Sequence, residues 1–348
     1  MIGGAVAVSE EVADLHRRAL VIDLHNDLLT KVSHVSFDLE ARHRPAAFWN
    51  PFRLDIDVPR LRQGGIDGLG CALFAGFRLH ARRRFWRQLD HARRLAGDHA
   101  GALALVDSAE ALEGARAAGR TGIFLGVEGS YVIEDDVEGD VARLAAAGVR
   151  YLGPLWERDS GAGSSCRSRE DRGLTEVGRS LVDACNRHGL LIDVAHSSPR
   201  TFWDLHQRST TPVFSSHSGA AGVHRHPRNL DDDQVRAIAA RGGVVGVIFV
   251  AAYLGAAFRL SPLAAIADHI EHLARIGGED CVALGSDYDG FMPLARGMRD
   301  AGDLPRLTQV LWTRGWREPQ LRKLLGENAL RLFRQTWGPR GGESPRRQ

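Results

Sequence analysis

Leu20-Val21-Ile22-Asp23-Leu24-His25-Asn26-Asp27 is a short apolar run that ends abruptly in two metal-competent side chains. In an extended segment, residues i and i+2 face the same side. His25 and Asp27, at the end of a strand, can therefore reach one metal ion. Taken alone, the stretch reads equally well as a strand followed by a polar turn, and what the rest of the chain brings to the same place decides between the two readings.

Working outward, short apolar runs alternate with amphipathic helical segments. Strands are expected at Ala19–Leu24, Leu69–Ala75, Gly122–Val127, Val149–Leu155, Leu190–Ala195, Pro212–Ser216, Gly243–Val250 and Cys281–Gly285. A long polar and aromatic loop, His34 to Ile56, follows the first. Helices are expected between most of the others. One opens at Asp57 with Pro59 in its first turn, one at Ser198-Pro199 and one at Asp231-Asp232-Asp233, as caps and helix dipoles favour. Two more, around Leu304–Arg314 and Glu318–Trp337, close the chain.

Near-continuous apolar strands read as parallel and buried on both faces. Eight of them, most followed by a helix, fit a (β/α)8 TIM-type barrel of about 250 residues with room for insertions. A doubly wound open sheet is the alternative, but no glycine-rich phosphate loop follows the first strand. The chain thus reads as one barrel domain over residues 1–337, followed by a Gly/Pro/Arg-rich tail, 338–348, expected to be disordered.

The expected strands end at His25 and Asp27, Glu128, His196, His217 and Asp287. In a closed barrel all C-terminal strand ends lie on one rim, where barrel active sites are built. One histidine at a strand end means little, whereas six metal-competent residues at five strand ends imply a site. Imidazole and carboxylate ligands suit zinc, with manganese, cobalt or iron as other choices. Five ligands exceed what one catalytic zinc needs, so two ions sharing a carboxylate is the economical arrangement. His25 and Asp27 would complete one ion, His196 and His217 the other, with Glu128 as the bridge and a dinuclear Zn2+ centre as the result. Ions about 3.5–4 Å apart would share a hydroxide at neutral pH, and Asp287 remains as general base and proton shuttle. Asp289, before Gly290, reads as a turn residue.

Composition bounds the rest. The 348 residues are 44% hydrophobic and 25% charged with net charge +2, which gives no electrostatic case for a nucleic-acid partner. Arg82-Arg83-Arg84 begins a helical pattern and reads as a solvated face. Cys71, Cys166, Cys185 and Cys281 form no C-x-x-C pair. Neither a signal peptide nor a run of about 20 apolar residues occurs, so a soluble, cytoplasmic protein without membrane contact is the expectation.

Several ordered segments together resemble one family. They are Val21-Ile22-Asp23-Leu24-His25-Asn26-Asp27, Gly126-Val127-Glu128-Gly129, Leu191-Ile192-Asp193-Val194-Ala195-His196-Ser197-Ser198, Phe214-Ser215-Ser216-His217-Ser218, Arg228-Asn229-Leu230, Gly285-Ser286-Asp287-Tyr288-Asp289-Gly290 and Gly326-Glu327-Asn328-Ala329-Leu330-Arg331. The chain is similar, from about Ala19 to Phe333, to the dinuclear-zinc membrane (renal) dipeptidases among the amidohydrolase-like hydrolases. The resemblance implies the same metal assignment, a substrate carboxylate held by Arg228, and a homodimer. Bidentate pairing suits a guanidinium to that role.

The substrate shell departs from the family. After the fourth strand the family carries Thr-His, and that histidine helps hold the scissile carbonyl. Here Trp156 stands at the His position, with Arg158 two residues on as a possible substitute, and Ser130-Tyr131 follows Glu128-Gly129 where Gly-His is common. Trp donates a hydrogen bond and cannot be a cation. The implied function is a zinc-dependent dipeptidase in which metal-bound hydroxide cleaves the amide bond of a dipeptide-like small molecule. The alternatives are another amidohydrolase-type amide or N-acyl-amino-acid hydrolase, or a diverged peptide- or conjugate-binding relative with little activity.

Overall fold

The computed structural model describes residues 6–34, 37–43, 50, 52–74, 76, 80–255 and 261–337. The expected tail at 338–348 and Ala75, the expected end of the second strand, lie outside them. Nine strands form one parallel sheet among the described residues: β1 (Ile22–Asn26), β2 (Gly68–Leu73), β3 (Leu103–Leu105), β4 (Thr121–Glu128), β5 (Val149–Gly153), β6 (Leu191–Ile192), β7 (Ser215–Ser218), β8 (Val245–Val247) and β9 (Val282–Leu284). Eight run in the order β6-β5-β4-β2-β1-β9-β8-β7. A parallel bridge between Asp193 and Phe214, just beyond β6 and just before β7, joins the two ends. Val194 N–H donates to the Phe214 carbonyl at 2.9 Å and Phe214 N–H to Ile192 at 3.1 Å. The sheet is therefore closed, as the barrel expectation requires.

β3 was not among the expected strands. It has three residues, Leu105 is exposed, and small alanines surround it, so its apolar pattern is weak. It pairs with the first half of β4 at Thr121–Ile123, while β5 takes the same edge further on, from Leu125 to Glu128. A second unanticipated element is the N-terminal helix Glu10–Arg18. Ser9 caps it by accepting the Val12 N–H, with Glu10 and Glu11 in the first turn and Arg17 and Arg18 in the last, as the helix dipole favours. The expected caps Asp57, Ser198 and Asp231 all accept N–H groups from the first turns of their helices.

Two apolar layers hold the barrel. Leu24, Phe124, Tyr151 and Phe214 fill its interior, and Phe333 and Trp337 join them from below. Leu28, Leu69, Phe85, Val127, Phe202 and Ile270 belong to the larger layer between strands and helices. Phe333 and Trp337 stack at 3.6 Å, and Phe333 meets Phe124 edge-on at 5.1 Å. The last helix thus plugs the N-terminal mouth of the barrel, away from the rim that carries His25 and Glu128. The single closing helix expected at Glu318–Trp337 is broken into Glu318–Arg322, a π-helical turn Lys323–Glu327, and Asn328–Thr336. At Gly326 the backbone passes so close to Leu20 that a Cβ would lie 2.5 Å from its carbonyl oxygen. That contact seats the plug, and only glycine allows it.

No helix among the described residues is long and apolar enough to cross a membrane. Phe333 is buried, so Phe333→Ala should cost about 3–5 kcal/mol of stability through lost contact and a residual cavity. Urea unfolding measures this, and because the plug lies far from the rim, metal uptake by the folded variant should match that of the parent.

Candidate metal centre

Glu128 ends β4 and is buried. Its Oε1 lies 2.9 Å from His196 Nε2, 3.5 Å from His217 Nε2 and 3.6 Å from His25 Nε2. One carboxylate oxygen thus faces three imidazole nitrogens from three other strand ends. The His25 and His217 rings stack at 3.7 Å, and His196 Nε2 lies 3.1 Å from His217 Nε2. Ligand atoms of His25, Glu128 and His217 all fall within 4.8 Å of one another, and so do those of His25, Asp27 and Asp287. His25 belongs to both groups and links them.

The backbone reaches this arrangement by bending. His25 lies in β1, but Asp27 is past its end, at the N-cap of Leu28–Val32 with φ −103° and ψ 19°. The ladder between β1 and β2 shifts between Asp23 and Asn26. Simple i, i+2 alternation therefore does not bring His25 and Asp27 together; a bulge does. The Asn26 amide donates to the Gly70 carbonyl at 2.8 Å and its oxygen accepts the Leu28 N–H, which pins the bend. His196, Asp287 and Asp289 have φ of 65°, 63° and 61°, values non-glycine residues rarely adopt. Such strain persists where the surrounding structure over-determines it, and it gathers at functional sites. At Asp287 the N–H donates to the His25 carbonyl at 3.0 Å.

Burial sets the protonation. It pulls the His25 imidazole down to about 3, with Arg228 adding to the effect, and holds His196 and His217 well below their ordinary range. It lifts the Asp27 carboxyl to about 6, against Thr30, whose hydroxyl lowers it. Glu128 and Asp287 are raised further, first by burial and then by the Asp27 charge. Neutral imidazoles and crowded carboxyls form a donor set for a divalent cation, whose charge would repay the carboxylate crowding. Both His25 nitrogens and His196 Nδ1 are buried without a hydrogen-bond partner. Unsatisfied buried nitrogens of this kind fit a metal site.

The residues that the sequence suggests for substrate binding separate. Arg228 is almost fully buried beside the centre, with Nη2 donating to the His217 carbonyl at 2.8 Å and the guanidinium 5.7 Å from the Tyr253 ring. Its Nε has no acceptor. The Tyr253 hydroxyl donates to Glu157 at 2.9 Å, a pair the sequence reading did not include. Trp156 is half-buried, 6.5 Å from the His196 ring and 4.9 Å from the Phe74 ring, and so walls the centre. Arg158 is exposed and lines an outer cavity of about 830 Å3 with Tyr131, Glu157, Asp159 and Arg167. Asp289 stands in a turn, as expected, and has a second role that the turn reading did not include. Asp289 is buried, its Oδ1 accepts the Asp55 N–H at 2.7 Å, and its own N–H donates to Asp55 Oδ2 at 3.0 Å. The pair ties the β9 loop to the segment ahead of Asp57 across 234 residues of sequence, beyond the reach of local pattern.

A closed barrel with a buried histidine and carboxylate cluster on its C-terminal rim defines a metallo-hydrolase architecture. The profile of the membrane dipeptidase family, peptidase family M19, matches residues 9–338, and the chain belongs to that family of metallo-dipeptidase enzymes. A Klebsiella pneumoniae protein described as uncharacterized, from the pqqA 5′ region, is 39% identical over 261 residues, 72% of this chain and 96% of the relative. Three crystal structures share the fold. An amidohydrolase from Pseudomonas aeruginosa is 26% identical with TM-score 0.80, over 94% of this chain and 99% of that one. A dipeptidase described as a metallo peptidase of family M19 is 28% identical with TM-score 0.83, over 92% and 99%. A metallo peptidase from Rhodobacter sphaeroides, liganded with a phosphinate mimic of the dipeptide L-Ala-D-Ala, is 27% identical with TM-score 0.82, over 92% and 99%.

Metal binding must displace protons from the raised carboxyls. With the Asp27 carboxyl lifted to about 6 by burial, affinity for a divalent cation should climb below about pH 6 by up to about tenfold per unit for that proton and climb less steeply above it. Chelator competition at pH 5, 6 and 7 tests the slope, and a flat profile would separate Asp27 from the binding event.

Proposed function

We propose that the chain is a zinc-dependent dipeptidase acting on a dipeptide or dipeptide-like amide that bears a free carboxylate. In this reading His25 and Asp27 hold one ion, His196 and His217 a second, and Glu128 is shared. The observation that carries it is the single Glu128 oxygen set among three imidazole nitrogens at 2.9–3.6 Å. The ions, when bound, supply a nucleophile from water and polarise the amide carbonyl.

The chain's own residues do the rest. Asp287, beside Asp27 and raised by burial, takes the proton of the attacking water and returns it to the leaving amine. Arg228 offers a guanidinium with an unused Nε–H in a buried setting, where pairing with a carboxylate is strong. Trp156 closes the side next to His196 and excludes water from it. Arg158, out in the wide cavity, meets the part of the substrate that extends away from the metals. The dipeptide mimic held by the Rhodobacter sphaeroides metallo peptidase supports this substrate class.

Metal analysis with a screen of L,L-, L,D- and Xaa-Gly dipeptides tests the proposal, and zinc-loaded protein inert on all of them would sink it. Asp287→Asn should lower kcat by about 10²–10⁴-fold with dipeptide binding retained.

The tryptophan favours a second reading, in which the substrate is another amide or a conjugate and dipeptides turn over slowly. Losing an oxyanion donor costs about 3 kcal/mol. If that loss limits dipeptide cleavage, Trp156→His should raise kcat/KM on dipeptides by up to about 100-fold. An unchanged or lower value, with a non-peptide amide hydrolysed by the parent, would favour the second reading.

A further inference from the structure

We propose that Asp193 and Ser216 are positioning residues that fix the tautomer of His217 and so present its Nε2 lone pair to the metal centre. The inference rests on the reading of His217 as a ligand and adds what decides its protonation pattern. All three residues are buried: Asp193 is 3% exposed, Ser216 0% and His217 1%.

Proton counting carries the argument. Ser216 N–H donates to Asp193 Oδ1 at 2.9 Å, and the Ala195 N–H donates to the same oxygen at 3.0 Å. The Ser216 hydroxyl donates to Asp193 Oδ2 at 2.5 Å. Burial raises the Asp193 carboxyl, and the three donors converging on it pull the other way, favouring the acceptor form. Ser216 Oγ also lies 2.7 Å from His217 Nδ1. A serine has one hydroxyl proton, and here it is committed to Asp193. The bond to the ring must then run from His217 Nδ1–H to Ser216 Oγ. A neutral imidazole with its proton on Nδ1 has a bare Nε2. That nitrogen is the one lying 3.5 Å from Glu128 Oε1 and 3.1 Å from His196 Nε2.

The molecule contains its own comparison. Asp23 makes the same clasp with Ser286: the Ser286 N–H donates to Oδ1 at 2.8 Å and its hydroxyl to Oδ2 at 2.5 Å. Both clasps lock two neighbouring strand ends together. After Ser286, however, comes Asp287 instead of a histidine, and Ser286 Oγ accepts the Tyr288 backbone N–H at 3.0 Å, with the His25 carbonyl 3.3 Å away. Strand locking therefore does not require a ring, and the bond to His217 is an additional feature of the Asp193 clasp. His25 and His196 also lack it, since their Nδ1 atoms have no partner. The Ser216 backbone is held firmly as well. A Cβ on Gly246 or Gly285 would lie 2.1 or 1.9 Å from the Ser216 carbonyl oxygen, so two strands pack directly on it. A hydrogen bond that fixes the second nitrogen of a metal-binding histidine typically contributes 10–100-fold in metal affinity.

Asp193→Asn gives a directional test, because it keeps the shape and reverses the polarity. The new Nδ2–H₂ would donate to Ser216 Oγ, freeing the serine proton to donate to His217 Nδ1 and moving the ring proton to Nε2. Long-range ¹H–¹⁵N spectra of the full-length, metal-free protein labelled on histidine read the tautomer directly. The parent should carry the His217 proton on Nδ1, Asp193→Asn should carry it on Nε2, and Ser216→Ala should lose the preference. Ser286→Ala, the matched clasp without a ring, should leave His217 as in the parent. Cobalt affinity should fall 10–100-fold in Asp193→Asn and Ser216→Ala. A parent His217 with its proton on Nε2, or the two variants binding cobalt as tightly as the parent, overturns the inference. A parent with the Nδ1 tautomer that takes up no cobalt instead overturns the metal-centre reading on which it rests. If Ser216→Ala does not fold, the near-isosteric Asp193→Asn carries the test.

Discussion

The structure depends on keeping one glutamate oxygen in the dark. Glu128 Oε1 sits among His25, His196 and His217 in a buried pocket, with Asp27 and Asp287 close enough to raise its proton affinity further. An uncompensated buried carboxylate is costly, and several together cost more. Neutral imidazoles do not repay that cost; a divalent cation does. The barrel is what makes the convergence feasible, because parallel strands bring their C-terminal ends to one rim whatever their separation along the chain. The bridge between Asp193 and Phe214 closes the ring of strands next to His196 and His217, so closure and site assembly coincide.

Holding the ligands there costs backbone strain and polar burial, and the chain offsets both locally. Positive φ at His196 and Asp287 turns each side chain sharply at the end of its strand. Asp193 and Asp23 satisfy the serine N–H and hydroxyl groups of adjacent strand ends, and Asp55 and Asp289 exchange backbone N–H groups across the mouth of the barrel. At the opposite end, Phe333 and Trp337 supply apolar burial with no catalytic demand on them. Strain is concentrated at the rim and packing at the base.

Around the cluster the neighbouring side chains differ in character. Arg228 is buried against His217 and Tyr253, with its Nε–H lacking an acceptor. Trp156 against Phe74 makes an apolar wall beside His196, and a polar cavity lies outside it.

The sequence by itself determined the barrel and the residues that meet on its rim. Periodicity marks strands and helices locally, and in a parallel barrel the residues at and just past the C-terminal end of a strand lie on the rim, so His25, Glu128, His196, His217 and Asp287 could be read there. Local pattern was too weak for β3, whose three residues borrow their stability from β4, and for the π turn, where Gly326 meets Leu20. Tertiary structure alone decided which groups share Glu128, that a bulge and not strand alternation unites His25 with Asp27, and that Asp289 is buried against Asp55. It also set Asp193 to govern His217 through Ser216. Most of these depend on contacts between residues distant in sequence, such as Asp193 with Ser216 and Asp55 with Asp289, and a register of strands must exist before they can form.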